Sequence, residues 1–222
     1  MTTGNPVLVL GATGTVGSSV VAHLAADGHA VRAAGRDADR TADRLAAIDA
    51  DLLVPDREVA GSLDALPGSV ESVAFDFERP ETWGPGFEGV RRAFVLRPPQ
   101  MGRVGAIAEA LDAAARVGVE HVVLLSVLGA ERNPVLPHRR VETHLTDHAL
   151  DYTFLRASFF AQNFLTTHRA DLVERDEVYV PAGRGETSIV DARDVAAVAA
   201  AALTESGHRD VAYDLTEIGR AS

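Results

Sequence analysis

The stretch VLVLGATGTVGSSVVAHLAADG, residues 7–28, restricts the fold more than any other part of the chain. Its first four residues, Val7–Leu10, are apolar without alternation, the pattern of a strand buried on both faces. A turn carrying Gly11, Gly14 and Gly17 follows, and then a helical segment predicted over Val16–Ala26. The first glycine permits a tight turn, and the second lets backbone N–H groups approach a pyrophosphate. The third lets the helix pack closely on the strand, and the helix N-terminus favours an anion. Gly11, Thr13, Gly14, Thr15, Val16 and Gly17 are therefore candidate cofactor-binding residues. The triplet alone would be only a glycine-rich turn; its strand–turn–helix setting points to a dinucleotide.

The rest of the chain repeats this alternation. Further strands are predicted at Ala30–Ala34, Val70–Phe75, Arg92–Leu96, Val119–Leu125 and Tyr152–Leu155, with another in VAYDLT near the C-terminus. Further helices are predicted at Ala38–Ile48, Arg103–Arg116, Pro137–His148, Phe160–Glu174 and Asp191–Leu203. Pro137 suits a first helical turn and Asp191 an N-cap. Residues 51–69, with Pro55, Gly61, Pro67 and Gly68, read as a loop-like insertion. Alternating βα units imply one α/β domain spanning residues 1–222, a doubly wound parallel sheet with helices on both faces. Its ligand should lie at the carboxyl ends of the strands.

Composition excludes several chemistries. At 222 residues and 46% hydrophobic, the chain can bury a substantial core. A net charge of −11 disfavours nucleic acid and anionic membrane as partners. Cysteine is absent, which removes disulfides, thiol nucleophiles and Cys-ligated zinc. No leader precedes Asn5, and no apolar run approaches the ~20 residues of a membrane span, so a cytoplasmic protein is expected. Lysine is also absent, and all 21 basic side chains are Arg.

Cofactor choice rests on the end of the second strand. Arg36 follows Gly35 there, and a guanidinium takes a ribose 2′-phosphate in a forked geometry, which favours NADP(H). Asp37 beside it keeps NAD(H) as the alternative, through the ribose 2′-OH. Asp76 and Phe77, after the third strand, are placed to meet an adenine edge and face, although Asp76 also suits a cap for its own turn. Leu96 and Arg97 end the fourth strand, where two prolines break the chain near the expected cofactor ribose. Arg97 has phosphate or substrate within its expected reach, or is a solvated loop residue.

Taken together, VLGATGTVG, FVLRPPQ, VVLLSVLGAERN, PHRRVETHL, DYTFLRASFFAQNF and VPAGRGETSIVDARDVAAVAAAAL resemble the NmrA-like family of atypical short-chain dehydrogenases/reductases across nearly all of residues 5–216. The resemblance implies an extended Rossmann domain and, usually, NADP(H). It covers reductases, quinone-reductase-like proteins and redox-sensing regulators with little catalysis. Two departures stand out. Many relatives have a Lys four residues before the position of Glu142, where this chain has His138. Relatives also commonly continue beyond the strand matching VAYDLT, which implies an abbreviated C-terminal substrate lobe here. A small or open pocket, or one completed by self-association, is expected.

A short-chain dehydrogenase of the usual kind would follow Ser126 with a Tyr and, four residues on, a Lys; neither is present. Reduction of a carbonyl needs a hydride and a donor at the developing oxyanion. Ser126 at the end of the fifth strand and His138 at the start of the next helix are the candidate catalytic pair, with Ser126 also facing cofactor. The bland alternatives are a strand-end hydroxyl bonded to backbone and a partly exposed helix-start imidazole. Ala157, Ser158 and Phe159 are expected to shape the nicotinamide pocket, and Phe160, Gln162 and Asn163 to face substrate. Substrate-side elements thus fall mainly in residues 157–190. His144 and His148 share a helix face like a metal pair, but no third ligand is evident in the sequence nearby, so no metal is assigned. The leading expectation is an NADP(H)-dependent reductase of a small carbonyl or quinone-like substrate. A non-catalytic NADP(H) sensor and a non-redox cyclase or isomerase are the alternatives.

Overall fold

Non-alternating apolar strands need cover on both faces, and the sheet receives it. The computed structural model describes residues 4–54, 61–101, 103–148, 150–178 and 188–216. Its strands are β1 (Val7–Leu10), β2 (Val31–Gly35), β3 (Val70–Ala74), β4 (Arg92–Leu96), β5 (His121–Val127), β6 (Asp151–Ala157), β7 (Phe159–Phe160), β8 (Ile189–Val190) and β9 (Val211–Leu215). The helices are α1 (Thr15–Ala26), α2 (Ala38–Ala46), α3 (Trp83–Phe87), α4 (Gly105–Arg116), α5 (Pro137–Asp147), α6 (Arg169–Arg175) and α7 (Ala192–Thr204). Seven strands form one sheet in the order β3-β2-β1-β4-β5-β6-β9, and every pairing is parallel. This is a Rossmann-like α/β architecture, as the alternation predicts.

Successive residues on each strand feed opposite cores. Val7 and Val9 of β1 pack with α1 and α7, as do Phe94 of β4 and Leu155 of β6. Leu8 and Leu10 pack on the other side with Ile107 and Leu111 of α4 and with Val141 and Leu145 of α5. Strand order reverses between β1 and β4, because β2 lies on one side of β1 and β4 on the other. Chains leave that point in opposite directions, and a crevice opens at the carboxyl ends of the strands.

Two local expectations change, and one short helix appears that the sequence reading did not include. The helix predicted over Phe160–Glu174 is divided. Phe159 and Phe160 pair in parallel with Ile189 and Val190, a 3-10 turn spans Ala161–Phe164, and helix resumes only at Arg169. The segment's local period is overridden by a partner strand nearly thirty residues later. The short α3 lies in WGPGF, whose glycines and proline argue against helix, yet Trp83 and Phe87 are buried there. Its Gly86 is required by contact, since a Cβ would meet the Phe75 ring at 2.6 Å. The insertion before β3 is also partly built in, through buried Leu63 and Leu66 and a bridge between Asp49 and Ser62. Residues 55–60 of it lie outside the described residues, as do 179–187 of the expected substrate side.

Candidate active site

The glycine turn forms as its spacing demands. Gly11 has φ +68°, in the left-handed region, and its carbonyl accepts the N–H of Gly14 at 2.9 Å. Gly17 faces the same carbonyl so closely that a Cβ would lie 2.2 Å from it. Gly14 caps α1 in an extended conformation with no side-chain cap bond, and the first turn of α1 carries no acidic residue. The N–H groups of that turn, over Thr15, Val16 and Gly17, therefore keep their capacity for an anion.

Two connected clefts run from this turn along the strand ends. The first, of about 340 Å3, is lined by Gly11, Thr13, Gly14, Gly35, Arg36, Phe75, Asp76, Phe77 and Leu96, among others. Arg36 is exposed at its rim. Asp37 instead turns to α2, where its Oδ1 accepts the N–H of Arg40 at 2.8 Å. Asp76 is likewise committed to its own turn, accepting the Glu78 N–H at 2.9 Å, while its carbonyl takes the Trp83 indole N–H at 2.9 Å. Phe77 is largely buried and packs edge-on against Phe75 at 5.3 Å. It offers the cleft a margin of its ring rather than an open face.

The second cleft, of about 390 Å3, shares Gly14, Leu96 and Pro99 with the first. Thr15, Val16, Arg97, Leu125, Ser126, Val127, His138, Ala157, Ser158 and Phe160 complete it. Ser126 and His138 are thus brought to one wall, but not as a pair. Ser126 is 2% exposed, and its hydroxyl donates to Oε1 of Glu142 at 2.7 Å. Glu142 is wholly buried and also accepts two hydrogen bonds from Arg156 at 3.0 Å and one from Arg139 at 3.1 Å. Burial pushes its carboxyl up, yet the bonds from Arg156, Ser126 and Arg139 outweigh burial and hold it below the usual value. Arg156 is held further toward its charged form by the same carboxylate, against its own burial.

His138 is half-buried, and burial together with the nearby Arg97 guanidinium lowers its proton affinity against the opposing pull of Glu142. It is a neutral imidazole at pH 7. Arg97 donates through Nη2 to the Met101 carbonyl at 2.8 Å, while its buried Nε has no hydrogen-bond partner. The buried Ser158 hydroxyl also lacks one. Unsatisfied buried polar atoms are uncommon, and two in one cleft fit a polar ligand that completes them.

The remaining expected residues separate. Phe160 lines the second cleft, whereas Phe159 packs its ring with Phe164 and His168 at 5.5 and 5.7 Å. Gln162 turns away from the cleft to cap α7. Its amide donates to Asp191 at 2.7 Å and accepts the Ala192 N–H at 2.9 Å. Asp191 is held at about 2, chiefly by Arg193. Asn163 is absent from the cleft lining. Sequence reasoning missed the buried network of Glu142, Arg156 and Arg139. Its legible signal was a Glu between Val141 and Leu145 on the inward face of α5, where a charge needs a partner.

Residues 11–206 match a family model described as NAD(P)H-binding. The chain is 34% identical over 214 residues to the NAD(P)H azoreductase of Xenophilus azovorans, covering 95% of this chain and 67% of that one. Its fold resembles that of Citrobacter sp. triphenylmethane reductase complexed with NADP(H), with TM-score 0.74, 24% identity, and coverage of 97% of this chain and 71% of that one. It also resembles an Escherichia coli NADPH-dependent quinone oxidoreductase complexed with NADPH, with TM-score 0.72, 23% identity, and coverage of 96% and 70%. The chain spans about two thirds of the length of curated relatives that it matches over nearly all of its own length. Among the described residues no helix is long and apolar enough to cross a membrane. The glycine turn, the uncapped α1 and the parallel sheet agree with that match, and the chain belongs to the NAD(P)H-binding family as an NmrA-like atypical short-chain dehydrogenase/reductase.

Proposed function

We propose that this protein is an NADP(H)-dependent reductase that passes hydride to a small quinone-like acceptor without a Tyr–Lys pair. One observation carries the reading: the wall of the second cleft offers hydrogen-bond donors but no strong acid. The Ser126 hydroxyl proton is directed to Glu142, and His138 is neutral beside Arg97. An alkyl ketone needs its developing alkoxide protonated in the transition state. A quinone spreads the incoming charge over its own ring and needs mainly oriented donors. The bound dinucleotide would supply the hydride. The chain's part is to seat the acceptor beside Phe160, to face its reduced oxygen with Arg97 and the His138 N–H, and to exclude water. The proton that completes the hydroquinone comes from solvent once hydride has been transferred.

Arg36 supports a 2′-phosphate, because it stands exposed on the first cleft while the neighbouring acid, Asp37, caps α2. The Ser158 hydroxyl and the backbone at Ala157 are suited to the nicotinamide amide. The relatives named for azo, quinone and triphenylmethane substrates all act on conjugated electron acceptors, in keeping with this reading.

Calorimetric titration with NADPH and NADH separately, followed by turnover of quinones and ketones, tests it. Tighter NADPH binding and faster quinone than ketone reduction are expected. Binding without turnover of any acceptor would favour a sensor, and binding of neither dinucleotide would sink the reductase reading.

A further inference from the structure

Away from both clefts, α4 and α5 bring together three side chains that the proposed reaction does not use. We propose that Asp112, His144 and His148 form a site for a divalent transition-metal ion of the zinc or nickel class, clipping the C-terminal end of α5 to α4. His144 and His148 are four residues apart and so share one face of the helix end. Asp112 meets them from α4. His144 Nε2 lies 2.8 Å from Asp112 Oδ1, and His148 Nε2 lies 3.9 Å from the same oxygen. One ligand atom from each residue falls within 4.8 Å of the others. An ion with ~2.0–2.1 Å bonds sets tetrahedral ligand atoms about 3.3 Å apart, so the two measured separations bracket the requirement.

His148 is also pre-oriented. His148 Nδ1 lies 2.7 Å from the His144 carbonyl, which can only accept. Nδ1 therefore carries the hydrogen, and in the neutral ring Nε2 keeps its lone pair on the Asp112 side. A backbone carbonyl holding the far nitrogen is the usual support of a metal-bound imidazole. The rings stack with centroids 3.9 Å apart and planes 27° from parallel, so one imidazole must turn about its side-chain bonds for both Nε2 lone pairs to meet at one ion. A simple ion pair accounts for His144 with Asp112 but not for the second imidazole brought to the same oxygen. Two imidazoles and one carboxylate suit zinc or nickel and leave a position for water. Calcium and magnesium demand more oxygen ligands. His138 sits six residues before His144 on the same helix, about 9 Å along its axis, so the clip would steady the helix that forms the cleft wall.

The test uses untagged, chelator-treated protein titrated with Zn2+ alone and with Ni2+ alone, with thermal melts in parallel. One ion per chain is expected, with a raised melting temperature. Asp112→Asn and His148→Ala should each weaken binding at least about tenfold and abolish the thermal shift. Their melting temperatures without metal should stay near that of the parent, because both side chains are about half-exposed. Binding that is substoichiometric, equal in the variants, or matched by Mg2+ would overturn the proposal and leave an adventitious ion on scattered histidines.

Discussion

The two ends of the crevice are built by different means. At the end formed by Gly11–Gly17, Gly35, Arg36 and Phe75–Phe77, the wall is made of backbone turns and strand ends that follow directly from local sequence. At the other end, Ser126 of β5, His138 and Glu142 of α5, and Arg156 and Ser158 of β6 meet only through the sheet. The first end depends on missing side chains, because any Cβ at Gly17 collides with the turn. The second depends on side chains that satisfy one another, because a wholly buried carboxylate without its partners is intolerable. Mutations should therefore separate the two ends, one acting through ligand affinity and the other through stability.

The largest effect is expected from Glu142→Ala, which leaves the buried Ser126 hydroxyl without its acceptor and Arg156 with only the more distant Glu131 carboxylate at 3.5 Å. Breaking such a pair costs about 3–5 kcal/mol, and urea denaturation would measure it. A loss below about 1 kcal/mol, the range of an exposed pair, would show that the network is not holding this end together. The same carboxylate makes a pH prediction. Because its folded value lies below the ordinary 4.5, its contribution is fully present above that pH and is lost as pH falls through the folded value. Glu142→Gln should flatten the loss of stability under acid relative to the parent.

Gly17→Ala comes next. Its Cβ would sit 2.2 Å from the Gly11 carbonyl, so α1 must move from β1. Overpacking of this kind costs about 1–3 kcal/mol, and calorimetry should show dinucleotide affinity reduced by more than stability alone explains. If affinity survives, the N–H cradle of α1 is not the anion site. Arg36→Ala should sharpen the contrast, because the residue is exposed at the cleft rim. Stability should stay within about 0.5 kcal/mol, while the preference for NADPH over NADH falls to within a few-fold.

His138→Gln is expected to do least to quinone turnover. A general acid in the transition state is worth about 100-fold or more, and a loss smaller than that is expected here. Burial and the Arg97 guanidinium lower its proton affinity, so any His138 step in the rate profile should have its midpoint below pH 6.5. A drop of about 100-fold on quinones would make His138 an obligatory acid and erase the distinction drawn between quinone and ketone acceptors.

The same division separates what was legible in the chain. Val7–Leu10, the glycine triplet and the segments that became β2, β3, β4 and α4 declared themselves because each rests on a period or a turn within a dozen residues. A doubly wound parallel sheet with a crevice at its carboxyl ends follows from the βα alternation, whereas the strand order and the place of the reversal between β1 and β4 come from the structure, because parallel βα units are compatible with more than one order. Phe160, Gln162 and Asn163 read as the start of one continuous helix, and that helix is divided for a specific reason. Phe159 and Phe160 found a strand partner at Ile189 and Val190, and Gln162 found a helix end to cap. Neither partner is visible in the local period.

Sequence by itself determined the parallel sheet, the glycine turn and the absence of a Tyr–Lys pair, because these are properties of residue type and spacing along one chain. Tertiary structure alone decided that the Ser126 proton goes to Glu142 and that Arg156, thirty residues after Ser126 along the chain, closes the same carboxylate. It also decided that Asp112 stands beside His144 and His148. Hydrogen bonds and metal ligation depend on distances of a few ångströms between atoms, and only the packing of α4, α5 and β6 against the sheet brings those atoms within reach.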